Sequence, residues 1–167
     1  NELINDLRLR ASYGITASPF GGDFLYLPTY AVNTSYGGAA ALRATTPGND
    51  AFDWEYVKEF NTGFDLAMLK NRLRVTVDYY NRKTTNMFIN QPLSATSGFS
   101  ELNLSAGVMR NRGIEFEVSG DVIKNQDFIW TIGVNAGYNK NKILHVTDLV
   151  DSYPDGDTRI LKVGLPY

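Results

Sequence analysis

Apolar and polar residues alternate along five stretches of this chain. In the clearest, Leu73, Val75, Val77 and Tyr79 fall on one side, and Arg74, Thr76, Asp78 and Tyr80 on the other. A period of two places those sets on opposite faces of a sheet. The pattern predicts strands over residues 6–16, 54–69, 72–90, 104–123 and 128–144. Leu7, Leu9, Ala11, Tyr13 and Ile15 form the apolar face of the first, against Arg8, Arg10, Ser12, Gly14 and Thr16. In the second, Phe60, Thr62, Phe64, Leu66 and Met68 oppose Asn61, Gly63, Asp65 and Ala67. In the fourth, Ile114, Phe116 and Val118 oppose Glu115, Glu117 and Ser119. In the fifth, Trp130, Ile132, Val134, Ala136 and Tyr138 oppose Thr131, Gly133, Asn135, Gly137 and Asn139.

The connections alternate in length. Lys70-Asn71 and Lys124-Asn125-Gln126-Asp127 read as short turns. Residues 17–53, 91–103 and 145–167 read as longer loops, the first irregular and rich in Gly, Pro, Thr and Asn. Sorting of short and long connections to opposite ends is what an up-and-down membrane barrel requires. The expected fold is therefore all-β, a piece of antiparallel transmembrane β-barrel wall. On such a wall Asp65, Arg74, Asp78, Glu115, Glu117, Asn135 and Asn139 face the lumen. Phe64, Leu66, Val75, Val77, Phe116, Val118, Trp130, Ile132 and Val134 face lipid. A soluble antiparallel β-sheet binding domain is the competing reading.

Composition narrows the choice. At 43% hydrophobic and 13% aromatic, the chain has enough apolar surface to exclude disorder. A formal net charge of −2 leaves no basic footprint for nucleic acid. There is no cysteine, so disulfide frameworks and thiolate metal sites are excluded. No apolar run approaches the roughly 20 residues of a membrane helix, whereas a barrel strand needs only about 9–11. Mean hydropathy is slightly negative, as expected when every second residue faces a polar lumen. The chain opens without an initiator Met or leader and is expected to be a segment of a larger protein.

Several residues quoted above also carry a family resemblance. The run Ile4-Asn5-Asp6-Leu7-Arg8-Leu9-Arg10-Ala11-Ser12-Tyr13-Gly14 resembles a recurring stretch of the SusC/RagA family of TonB-dependent outer-membrane transporters. Asp53-Trp54-Glu55 with Asn61-Thr62-Gly63-Phe64-Asp65 is similar to that family's Trp-Glu…Asn-x-Gly-x-Asp strand. Asn71-Arg72-Leu73 and Val77-Asp78-Tyr79-Tyr80-Asn81-Arg82 resemble its barrel hairpin. Pro92-Leu93, Thr96-Ser97-Gly98-Phe99, Asn111-Arg112-Gly113-Ile114-Glu115-Phe116, Asn139-Lys140-Asn141-Lys142-Ile143 and Val163-Gly164-Leu165-Pro166 follow in the family's order. Phe52-Asp53 and Met109-Arg110 depart from it without disturbing the alternation.

The resemblance implies a barrel of about 22 strands closed by an N-terminal plug, of which this chain is about five strands. It also implies energy supplied through TonB, a SusD-like surface lipoprotein as partner, and glycan or peptide cargo in the bacterial outer membrane. The plug and the TonB-binding segment lie outside this stretch. A barrel that serves as a surface receptor or adhesin, and an outer-membrane enzyme, are the rival functions.

Candidate chemistry is sparse, and neither an enzyme nor a cofactor is expected. His145 is the only histidine and reads as a strand-end or loop residue. Glu115 and Glu117 have the residue type of a glycosidase pair but sit within a lumen motif. Asp151, Asp155 and Asp157 around Gly156 suggest a calcium loop, yet lack the spacing of an EF-hand. The loop aromatics Phe20, Phe24, Tyr26, Tyr30 and Tyr36 are the best candidates for contact with cargo or lipoprotein, because such rings stack on sugars and suit interfaces.

Overall fold

The computed structural model describes residues 3–19, 24–148, 151–155 and 159–167. Five strands form one sheet: β1 (Ile4–Ser18), β4 (Glu55–Met68), β5 (Leu73–Pro92), β6 (Glu101–Lys124) and β7 (Ile129–His145), hydrogen-bonded in that order. β2 (Thr29–Tyr36) pairs with β3 (Ala39–Thr46), and β8 (Ser152–Asp155) pairs with β9 (Arg159–Lys162), as two separate hairpins. The strands predicted from alternation are all present, with ends shifted by a few residues. At 20 and 24 residues, β5 and β6 far exceed the usual 5–6 or so of a globular strand. The fold is all-β and the sheet is not closed on itself.

The chain forms two compact units. The first comprises Asn1–Ile15, Lys58–Lys83 and Arg110–Asn141 and is wall alone. Contacts across it share one register on each strand pair. Thr76 Oγ1 donates to Asp65 at 3.1 Å, and Arg82 pairs with Glu59 at 2.8 Å, so β4 and β5 run antiparallel. Thr131 Oγ1 donates to Asp121 at 2.9 Å, and Asn141 Nδ2 donates to Asn111 at 2.6 Å, which does the same for β6 and β7.

Between β4 and β5, Lys70 and Asn71 have φ of 59° and 62°. That is the mirror-image turn whose twist matches flanking strands. It is closed by Arg72 N–H donating to Leu69 O at 3.2 Å. Two glycines admit close neighbours in this unit. A Cβ on Gly63 would collide with the Asp78 carboxylate and lie 2.6 Å from Val77 O. One on Gly113 would lie 2.6 Å from both Tyr138 O and the Tyr80 ring. Tyr80 thus lies against the bare backbone of Gly113, a packing that compensates a strand glycine.

The second unit comprises Thr16–Val57, Thr84–Met109 and Lys142–Tyr167. It corrects the sequence reading in two places. Residues 17–53 are not irregular throughout, since β2 and β3 form a hairpin turned by Gly37-Gly38 with φ of 59° and 84°. The segment after His145 is likewise not only loop, since β8 and β9 pair from Ser152↔Lys162 to Asp155↔Arg159. Between β5 and β6, Ser94 caps a single turn, Ala95–Ser97, which Gly98 ends with φ of 80°. Asn86 has a left-handed φ of 57°, the mark of a bulge, and beyond it Met87 and Ile89 lie against Gly107.

The only buried apolar cluster among the described residues belongs to this unit. Ile89, Ile143, Val146 and Leu161 form it, with Val163 packed alongside. It is pinned by Ile143 N–H to Leu165 O and Gly164 N–H to Ile143 O, both 2.9 Å.

Gly113→Val in the whole protein should destabilise it by about 1–3 kcal/mol, the usual cost of forcing volume into packed structure. Gly14→Ala should be close to neutral, because nothing lies within 4 Å of a Cβ there. Urea unfolding measures both, and equal effects would refute the close approach.

Candidate functional site

The alternation that builds the sheet collects its charges on one face. Arg10 of β1 reaches across two neighbouring strands. Its Nε and Nη2 contact the Asp65 carboxylate of β4 at 3.2 Å, and Nη2 contacts the Asp78 carboxylate of β5 at 3.0 and 3.1 Å. All three side chains are roughly 40% exposed (44%, 37% and 41%), so the contacts remain hydrated. Thr76 also donates to Asp65. Further along, Arg82 Nε donates to Glu59 at 2.9 Å and Asn61 Nδ2 donates to the same carboxylate at 3.1 Å.

Two depressions open on this face. One, about 520 Å³, is lined by Thr76, Asp78, Glu115, Phe116, Glu117, Asn135, Ala136 and Gly137. The other, about 560 Å³, is lined by Glu59, Asn61, Asp78, Tyr79, Tyr80, Arg82, Asn111, Glu115 and Asn139. Five of the seven residues predicted for the polar face line these depressions, and Asp65 is joined to Asp78 through Arg10. Arg74 shares their alternation on β5 but borders neither depression. The surface can hydrogen-bond and can hold a cationic or hydroxyl-rich partner, having more carboxylates than cations.

The reverse face is apolar. Leu9, Ala11, Phe64, Val77 and Tyr79 border one shallow depression, and Leu3, Leu69, Leu73 and Val122 another. Phe116, Trp130, Ile132 and Val134 stand 43–57% exposed, an unusual state for large apolar side chains in neighbouring strands. Leu66, Val75 and Val118 are half-buried in the same alternation.

Sequence reasoning placed Arg10 on the polar face but missed it as the hub, and also missed Glu59 and Arg82. Alternation gives the face of each residue, whereas the pairing of one strand with the next requires register. Phe24, Tyr26, Tyr30 and Tyr36 are exposed, and the last two belong to the β2–β3 hairpin. Phe20 lies outside the described residues. His145 closes β7 and pairs with Asp148 at 3.3 Å, as a strand-end residue. Gly156 and Asp157 of the suggested calcium loop lie outside the described residues. Among the described residues, no group of His, Cys, Asp and Glu is arranged to hold a metal. Glu55, at the start of β4 and beyond the apolar run of that strand, has its carboxyl raised above the ordinary range by burial.

The same sequence features match a known family: residues 2–165 fit the description "TonB dependent receptor-like, beta-barrel". The chain belongs to the TonB-dependent receptor β-barrel family. TonB-dependent receptor P39 of Formosa agariphila is 36% identical over 145 residues, covering 87% of this chain and 14% of that protein. TonB-dependent receptor SusC of Bacteroides thetaiotaomicron is 31% identical over 158 residues, covering 90% of this chain and 16% of SusC. The solved RagAB peptide importer in its "open-open" state superposes with a TM-score of 0.82 at 30% identity, covering 99% of this chain and 18% of that one. The resemblance to SusC and RagA drawn from the motifs is thus borne out. The chain spans about a sixth of the length of these relatives.

In the complete protein, a double-mutant cycle between Arg10→Gln and Asp78→Asn should give a coupling of about 0.2–1 kcal/mol, the range for half-exposed ion pairs. Chemical unfolding in detergent reads it. A coupling of zero at low salt would show that the bridge across the strands contributes nothing.

Proposed function

We propose that the complete protein is a TonB-dependent outer-membrane transporter of the SusC/RagA type, importing glycans or peptides with a SusD-like lipoprotein. The observation that carries this reading is the two-faced sheet. One face holds charges bridged across strands, and the other holds large apolar side chains that stand exposed among the described residues. A soluble sheet buries its apolar face, whereas a barrel wall turns it to lipid and its polar face to the lumen. Lipid also explains the strand length, because each strand must satisfy its neighbour's backbone across the hydrocarbon.

In this reading Asp65, Arg74, Asp78, Glu115, Glu117, Asn135 and Asn139 line the plugged lumen. Phe64, Leu66, Val75, Val77, Phe116, Val118, Trp130, Ile132 and Val134 meet lipid. The segments over 17–53, 91–103 and 145–167 lie on the extracellular side. There Phe24, Tyr26, Tyr30 and Tyr36 offer flat rings to cargo or to the lipoprotein. TonB acts through the N-terminal part of the whole protein. The named relatives are receptors and importers, which favours transport over catalysis as the role of this barrel.

Val77→Arg should destabilise the membrane-embedded receptor by roughly 2–4 kcal/mol, as a charge on the lipid face near mid-strand does. Asp78→Asn should cost far less, its ion pair being half-exposed. Equal tolerance at both positions in a vesicle-folding assay would overturn the assignment of faces.

The transport claim is tested in cells by uptake of labelled oligosaccharides and labelled peptides. Deleting either the barrel gene or TonB should abolish uptake of one class. Uptake that persists without TonB would sink active import and leave a passive receptor.

A further inference from the structure

On four successive strands the outward apolar run gives way to a cation. On β4, Met68, Leu66, Phe64, Thr62 and Phe60 are followed by Lys58. On β5, Leu73, Val75, Val77 and Tyr79 are followed by Asn81 and Lys83. On β6, Val118, Phe116 and Ile114 are followed by Arg112 and Arg110. On β7, Trp130, Ile132, Val134 and Tyr138 are followed by Lys140. The alternation at this level is anchored by contacts on the opposite face: Asn61 to Glu59, Arg82 to Glu59 and Asn141 to Asn111. Those residues face inward, so their sequence neighbours Lys58, Lys83, Arg110, Arg112 and Lys140 face outward.

Register joins these cations into one patch. The pairing that brings Glu59 to Arg82 sets Lys58 opposite Lys83. The pairing that joins Asp121 N–H to Arg72 O and lays Tyr80 on Gly113 sets Lys83 opposite Arg110. The pairing that joins Asn111 to Asn141 sets Arg112 opposite Lys140. Side chains so opposed have Cβ atoms about 5 Å apart, and like charges there repel.

Among the described residues no carboxylate relieves the repulsion. Glu59 and Glu115, the acids of this level, belong to the inward alternation. None of the five cations is in an ion pair among the described residues.

We infer that Lys58, Lys83, Arg110, Arg112 and Lys140 form a belt that binds the phosphates of lipid headgroups, in the leaflet remote from the short turns. The inference rests on the apolar face being lipid-facing. The belt continues that face directly, past Phe60, Tyr79, Ile114 and Tyr138, where hydrocarbon gives way to headgroups and aromatic girdles belong. A headgroup phosphate at that depth meets two guanidinium forks, which suit its geometry, and three ammonium groups able to snorkel towards it. A lipid phosphate therefore supplies the missing counter-charge.

The test uses the complete receptor in dodecyl maltoside, with diphosphoryl lipid A and its dephosphorylated form as probes and native mass spectrometry as readout. The natural sequence should retain the phosphorylated lipid in preference. Arg110→Gln, Arg112→Gln and Lys140→Gln together should weaken that retention about a hundredfold, from roughly a fivefold loss per cation. Lys124→Gln, at a short turn, should leave it unchanged. If the triple variant does not fold, Lys58→Gln with Lys140→Gln, both exposed, should still weaken retention more than tenfold. Unaltered retention in the folded variants overturns the belt, and so does equal displacement by soluble inositol hexakisphosphate, which would mark a site for free polyanions.

A bimane label at Val77→Cys, challenged with brominated lipid, separates the two claims. Quenching together with unaltered lipid A retention refutes the belt alone. Absence of quenching refutes the lipid-facing assignment and the belt with it.

Discussion

Everything in this wall depends on the backbone hydrogen bonds between long neighbouring strands. In hydrocarbon no water is present to replace a missing partner, and an unpaired peptide group costs several kcal/mol. That constraint rules out strands of ordinary length in the wall and breaks at mid-depth. β4, β5, β6 and β7 meet it with continuous runs, and irregular backbone is held to their ends. Asn86, with its left-handed φ, and the capped turn at Ala95–Ser97 lie well beyond the apolar stretch of β5. The glycines that permit close approach, Gly63 and Gly113, face the polar side, where Asp78 and Tyr80 fill the space they leave.

With the backbone fixed in this way, side chains are free to divide by face. The polar face is bridged rather than merely hydrated. Arg10 spans three strands by contacting Asp65 and Asp78, and Arg82 joins β5 to β4 through Glu59. Each contact is modest because water reaches it. Their value lies in register, since a slip of one residue would turn Arg10, Asp65 and Asp78 towards the apolar side. The apolar face has no such device. It contributes stability only in a solvent that matches it.

How much of this was legible in the sequence follows from the same physics. A period of two is written residue by residue, so the five wall strands and the composition of their faces could be read directly. Pairing between strands is not written locally. Arg10 stood on the correct face, but nothing near it in sequence names Asp65 or Asp78 as partners. The β2–β3 hairpin had a local signal in Gly37-Gly38, a dipeptide suited to the mirror-image turn. It was obscured because Ala, Thr, Asn and Ser dominate its strands and leave weak alternation. β8 and β9 are four residues each, and Pro154 argues against a strand there. The loop aromatics were legible as a cluster of rings. Their exposure was not.

The neighbour relation of β1 and β4 has a consequence of another kind. Both ends of the excursion that contains β2 and β3 join strands that are hydrogen-bonded to each other. The segment therefore departs from and returns to adjacent points, and its length places no demand on the sheet. A change of length there leaves the pairing of β1 with β4 possible. What that segment carries and what the sheet pairs are therefore set by separate stretches of sequence.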